Sequence, residues 1–395
     1  LIVGAGFLQS FVIQKAKEIG YEVYAVDANP NALGFRYADR YAVINIVDEQ
    51  ACLAYAKENR IDGVLTAATE YGVLTTAYIA KELGLPGISY ETAKLIKNKY
   101  QVTERLLAHN VEDVRQVLEI SENTDVEELS QKIKYPTIVK PRDGSGSRGI
   151  RRVNKAEELI GACEYARKCS SSDCLVIESF IEGKEYGAES LVINGEVYVL
   201  GIMKKWMTEP PYYAELGHSL PNDLSPDTQK KAKKCVADAI KVLGIDHGSV
   251  NMDLLISEDG KVHIVDVGAR MGGNMIGPCI IAYGTGIDYM KAMIQIAVGD
   301  KVDLKPNKSC AVATKIMAFD EGIVENIPDT KETETAFGVE IYHHLAVGMK
   351  VNEYHTNLDG CGYIVAKADT YEEAVLKAER TLRFYKQTIF KSTEK

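Results

Sequence analysis

Short apolar runs alternate with amphipathic stretches along residues 1–95. Residues 1–4 read as a strand, 10–20 as a helix, 22–26 as a strand, 49–59 as a helix and 63–67 as a strand. This rhythm predicts a parallel sheet covered by helices. Residues 96–110 read as a linking helix with several Lys and Arg, and 111–185 as a second α/β unit with strands at 137–140 and 175–178. Beyond 186 the pattern turns to hairpins. Strands at 188–193 and 197–202 flank Asn194-Gly195, a pair that accepts the positive φ angles of a tight hairpin turn. A helix at 227–243 follows, then a second hairpin, 251–256 with 262–267, turning at Glu258-Asp259-Gly260. Residues 301–395 read as short strands and a closing helix from 371 to 385. The expected class is α/β, with α+β character in places. The expected domains are 1–95, 96–300 (subdomains 111–185 and 186–300) and a small α/β domain, 301–395.

A chain of 395 residues is too long for one ordinary core, in keeping with that division. Its 56 Asp+Glu outweigh 46 Lys+Arg, and no long basic stretch offsets them, which argues against a nucleic-acid partner. No apolar run approaches the roughly 20 residues that span a bilayer. The chain opens directly on the strand-like Leu1-Ile2-Val3, so its natural start is expected upstream. Eight Cys are scattered without metal-ligand spacing; Cys163, Cys169 and Cys174 come nearest to a cluster. They read as ordinary thiols of a reducing cytoplasm.

At the front, Gly4-Ala5-Gly6 leads into a helix, and Asp27 ends the second strand, near where a dinucleotide-binding domain holds a ribose. The third glycine is missing, with Gln9 in its place. The glycines equally serve close packing of strand on helix, and an NAD-dependent oxidoreductase finds no further support along the chain.

Stronger chemistry begins at Thr137-Ile138-Val139-Lys140-Pro141, an apolar strand ending in a lysine. The loop Arg142-Asp143-Gly144-Ser145-Gly146-Ser147-Arg148-Gly149 follows. Small residues let its N–H groups approach phosphate oxygens, while Lys140 adds a fixed charge. It is not a Walker loop, because no Gly-Lys-Ser/Thr opens the next helix. Next comes Glu178-Ser179-Phe180-Ile181 and, after a short connector, Glu185. Its main chain suits an adenine edge and Glu185 suits ribose hydroxyls, although an ordinary inter-strand loop has the same composition. Asp253 and Asp266 lie on the two strands of the second hairpin. Paired in register, both carboxylates share one face and, with phosphate oxygens, suit Mg²⁺. Arg270 follows, placed to stabilise charge on a transferring phosphoryl group. Glu70 stands just past a strand's carboxyl end, where α/β sheets bind ligands, and suits a substrate ammonium.

In this order and spacing, the segments resemble the ATP-grasp superfamily over essentially the whole chain: a pre-ATP-grasp domain, paired ATP-grasp subdomains and a small C-terminal domain. The resemblance implies that Lys99 and Lys140 contact phosphates and that 143–149 is a flexible lid. It further implies that Glu178–Ile181 form the adenine hinge, Glu185 the ribose ligand, and Asp253 with Asp266 the metal ligands. One departure stands out. Most members carry Glu-x-Asn-x-Arg where this chain has Asp266-Val267-Gly268-Ala269-Arg270, so the usual Asn ligand is absent. A small residue there looks like the bacterial L-amino-acid (dipeptide) ligase branch, as does Glu215-Leu216-Gly217-His218-Ser219-Leu220-Pro221. Glu215 and His218 become candidates for the acceptor pocket.

By that resemblance the expected function is ATP-dependent activation of a carboxylate as an acyl-phosphate for attack by an amine. ATP and Mg²⁺ are the expected cofactors, with Mn²⁺ as an alternative metal. Small-molecule substrates, a homodimer and a cytoplasmic location go with it. The competing readings are a formate- or bicarbonate-using ligase and a nucleotide-binding protein that has lost catalysis.

Overall fold

The computed structural model describes residues 1–144, 146, 148–170 and 172–390. Of the phosphate-loop candidates, Ser145 and Ser147 lie outside the described residues.

The N-terminal strands form a parallel sheet in the order Arg40–Val43, Tyr24–Asp27, Ile2–Val3, Leu65–Thr66. Helices Phe7–Glu18 and Glu49–Glu58 connect strands of this sheet, and Val73–Leu83 follows its last strand. The glycine turn at its front is a packing device. The Asp27 carboxylate accepts from the Ala5 and Asn29 N–H groups, each at 2.8 Å. The Gln9 side chain covers Gly4 and donates to the Ala67 carbonyl at 2.5 Å. Thus the residue standing where a dinucleotide fold has its third glycine ties down the loop that leads to Glu70.

The expected linking helix is two helices, Tyr90–Lys97 and Lys99–Ala108. Asn98 breaks them: its backbone is extended and its side chain accepts from the Gln101 N–H at 3.1 Å, capping the second helix. The unit at 111–185 is built on an antiparallel sheet, in the order Val117–Ile120, Leu175–Ser179, Thr137–Pro141, Arg151–Val153. The expectation of a second α/β unit therefore holds as α+β, because the short loop 142–150 returns the chain directly beside its own strand.

The third sheet is antiparallel with eight strands. Its order is Val262–Gly268, Gly248–Ile256, Lys184–Ile193, Glu196–Met207, Glu215–Leu220, Ala311–Ile316, Gly362–Ala368, Val339–His343. Asn194 and Gly195 make the expected hairpin with φ of 51° and 80°. Strands from the last hundred residues continue this sheet through the pairing of Glu215–Leu220 with Ala311–Ile316. Gly217 permits that join, since a Cβ there would stand 2.0 Å from the Thr314 carbonyl oxygen. No described helix is long and apolar enough to cross a membrane.

Candidate active site

The three main sheets border one cleft of 930 Å³. The antiparallel four-stranded sheet contributes Lys140 and Glu178, and the eight-stranded sheet Lys205, Asp253 and Asp266. The loop after Leu65–Thr66 supplies Glu70. Of the residues singled out in the sequence, Gly149 and His218 are absent from its lining. Gly149 serves the backbone of its loop instead: its φ is 75°, and a Cβ would stand 2.8 Å from Cys169 and Pro141 atoms.

Lys140 and Glu178 form a buried pair at 2.8 Å, and Arg115 holds the other oxygen of Glu178. Burial alone would raise the carboxyl of Glu178, but the two cations outweigh it and hold it below its ordinary range. Lys140 also donates to the Val265 carbonyl at 3.2 Å, so its ammonium spans both sheets. The Glu178 side chain is thus committed to ion pairs. The N–H groups of Ser179 and Phe180 are bonded to the Gln116 and Pro136 carbonyls. Ile181, whose N–H makes no such bond among the described residues, lines the cleft.

Asp253 and Asp266 stand directly opposite each other across the hairpin, with a bulge just after Asp253. Alternation along each strand therefore sends both carboxylates to one face. Asp266 pairs with Lys99 and Asp253 with Lys205, the latter at 2.8 Å. Among the described residues no cluster of three or more metal-ligating side chains is preformed. Two opposed carboxylates fit a hard cation that completes its shell with phosphate oxygens and water, as Mg²⁺ does.

Lys205 was not among the sequence candidates. Its ammonium lies 2.7 Å from Glu215, 2.8 Å from Asp253 and 3.7 Å from Glu185, with its side chain 1% exposed. Burial opposes its charge, yet the three carboxylates prevail and keep it protonated well beyond the ordinary range. Glu185 is pushed up to about 7 by burial, helped by Asp253 and Glu215 and resisted by Lys205. Burial also pushes up Glu215, but Lys205 and His218 overcome it and hold that carboxyl at about 2. Its second oxygen receives the amides of Asn274 and Asn357, the latter at 3.1 Å. His218 sits behind Glu215, 4.0 Å away and 1% exposed; burial lowers it to about 4, so the imidazole is neutral at pH 7.

Arg270 and Glu70 form an ion pair at 2.5 Å. The Ala68 N–H donates to the Met271 carbonyl at 3.0 Å, which brings their two loops together. Gly268 gives the pair its space. A Cβ there would stand 2.6 Å from the Glu70 oxygen and 3.1 Å from the guanidinium carbon. Beneath the loop, fully buried Glu189 accepts from the Gly272 N–H at 3.0 Å and from Asn251 at 2.8 Å. Burial pushes this carboxyl up to about 7 despite those bonds and that of Tyr289. An acid on an apolar strand was the only signal for it in the sequence.

An ATP-grasp domain model matches residues 133–278, and the model of L-amino acid ligase C-terminal domain 2 matches residues 315–384. The chain is 26% identical to an uncharacterised protein of Sinorhizobium fredii over 78% of its own length and 65% of the relative's. It is 22% identical to human carnosine synthase 1 over 76% of its own length and 39% of the relative's. It thus spans less than two thirds of either curated relative. The solved L-amino acid ligase of Bacillus licheniformis superposes with a TM-score of 0.82 at 25% identity, covering 96% of this chain and 95% of that one.

Proposed function

We propose that this chain, built on an ATP-grasp domain and an L-amino acid ligase C-terminal domain, joins an amino acid carboxylate to an amine at the expense of ATP. The observation that carries the reading is one cleft lined by the opposed Asp253 and Asp266. Lys99 and Lys140 line the same cleft, as does the Glu70–Arg270 pair.

Lys99 and Lys140 are placed for nucleotide phosphates, Ile181 for the adenine and Glu185 for the ribose. Gly144 and Gly146 leave room for phosphate oxygens beside the main chain. Asp253 and Asp266 are the residues to hold Mg²⁺ or Mn²⁺; bound there, the metal neutralises charge on the phosphates as one is transferred. An oxygen of the substrate carboxylate takes the γ-phosphoryl group, and ADP departs. The amine then forms the C–N bond, the C–O bond to phosphate breaks, and a proton leaves the nitrogen. Arg270 steadies the anionic phosphoryl group during both steps. An amino acid zwitterion matches the Glu70–Arg270 pair in charge, with Glu70 for its ammonium and Arg270 for its carboxylate. Glu215, with His218 behind it, shapes the acceptor side. The eight free thiols support a reducing cytoplasmic setting, and a homodimer is the assembly expected by analogy of fold.

The test is release of phosphate from ATP across a panel of amino-acid pairs, with product masses recorded. ADP, orthophosphate and a dipeptide-type mass are expected. AMP with pyrophosphate would sink the acyl-phosphate route, and faster turnover with formate or bicarbonate would move the substrate to another class.

Glu70→Gln is expected to raise the apparent KM for the donor amino acid about tenfold and to spare that for ATP. Because Glu70 also steadies Arg270, kcat should fall alongside. An unchanged donor KM would remove Glu70 from substrate recognition.

A further inference from the structure

Lys205 is the most deeply buried cation in the cleft, and the mechanism above leaves it without a task. It lies on the strand Glu196–Met207, opposite His218. Its neighbour Lys204 turns to the other face and pairs with Asp223 at 2.7 Å. Three carboxylates from three different strands converge on the Lys205 ammonium: Glu185, Glu215 and Asp253. Two of these contacts are short, and the third, at 3.7 Å, leaves room to tighten. Without the lysine, Glu185, Glu215 and Asp253 would lose the cation they share, leaving excess negative charge beside the opposed Asp253 and Asp266. That excess charge favours a divalent cation even without nucleotide.

We propose that Lys205 is a positioning residue that holds the place of the metal at Asp253, releasing that carboxylate only when nucleotide and metal arrive together. The inference rests on the assignment of Asp253 and Asp266 as metal ligands. An oxygen that coordinates a divalent cation cannot keep an ammonium at 2.8 Å without setting two positive charges side by side. Lys205 has somewhere to go, since Glu215 already binds it and Glu185 lies within reach of a small shift. Metal alone brings +2 to a site that already holds its cation. Metal with nucleotide also brings phosphate oxygens and their charge, which complete its shell and favour the exchange. The device ties occupancy of the metal site to the presence of ATP.

The experiment is thermal unfolding with Mn²⁺ alone, without nucleotide, for the wild type, Lys205→Met and Lys205→Arg. The wild type and Lys205→Arg should shift by less than about 1 °C, whereas Lys205→Met should gain about 5 °C at saturating Mn²⁺. An equal shift in wild type and Lys205→Met, or none in Lys205→Met, overturns the proposal. Should Lys205→Met fail to fold, the double variant Lys205→Met with Glu215→Gln, one carboxylate lighter, takes its place in the comparison, and the same two outcomes overturn the proposal. Metal-dependent ADP binding by the wild type is measured in parallel. Its absence would overturn the metal assignment itself, whereas its presence beside an unresponsive Lys205→Met overturns only the role of Lys205.

Discussion

Asp266→Asn and Asp253→Asn should each lower turnover by about 100-fold or more at saturating ATP, with the loss deepening as Mg²⁺ becomes limiting. The two carboxylates sit opposite each other and are the anionic ligands the hairpin offers, so neutralising one halves the protein's charge in the metal shell. Neither change should unfold the protein. Lys99 loses its partner Asp266 at a site where 37% of the aspartate side chain is exposed, so water can replace it. Lys205 loses Asp253 but keeps Glu215 at 2.7 Å. Because the ligands share one ion, the double variant should be little worse than either single one. Steady-state rates against Mg²⁺ concentration, with circular dichroism as the control for fold, decide the matter. Near-normal rates at limiting Mg²⁺ in either variant would make that carboxylate structural.

Lys140→Met should weaken ADP binding by about 10- to 100-fold, measured by calorimetry. A nearly buried ammonium keeps most of its attraction for a phosphate because water screens it poorly. Removing one partner of a buried ion pair ordinarily costs about 3–5 kcal/mol of stability. Here the cost should be smaller, since Arg115 continues to hold Glu178. The variant therefore separates two roles. Lost stability with unchanged ADP affinity would show that Lys140 serves Glu178 and not the nucleotide.

Local pattern carried much of this protein. Periodicity placed three strands and two helices of the first 95 residues to within a few positions, but it passed over the edge strand Arg40–Val43 and the helix Val73–Leu83. Asn194-Gly195 named its hairpin, because both residues accept the positive φ of a tight two-residue turn. The second hairpin's short turn brought Asp253 and Asp266 together from sequence spacing alone. Elsewhere the pattern was silent. A lysine inside a strand reads as solvent-facing, and only the meeting of strands distant in sequence shows Lys205 enclosed by Glu185, Glu215 and Asp253. Arg115 and Glu189 escaped for the same reason, as Glu178, bonded to the one, and Asn251 and Gly272, bonded to the other, lie more than 60 residues away. Gly268 was visible as a departure, but its cause was not. The space it leaves is filled by a carboxylate nearly 200 residues earlier, held in place by Gln9 and by the contact of Ala68 with Met271. Short-range turn chemistry and side-chain period determine which segments form and which way they face. Which charges meet, and which of them water can no longer reach, is decided by long-range packing, and in this cleft those charges are the chemistry.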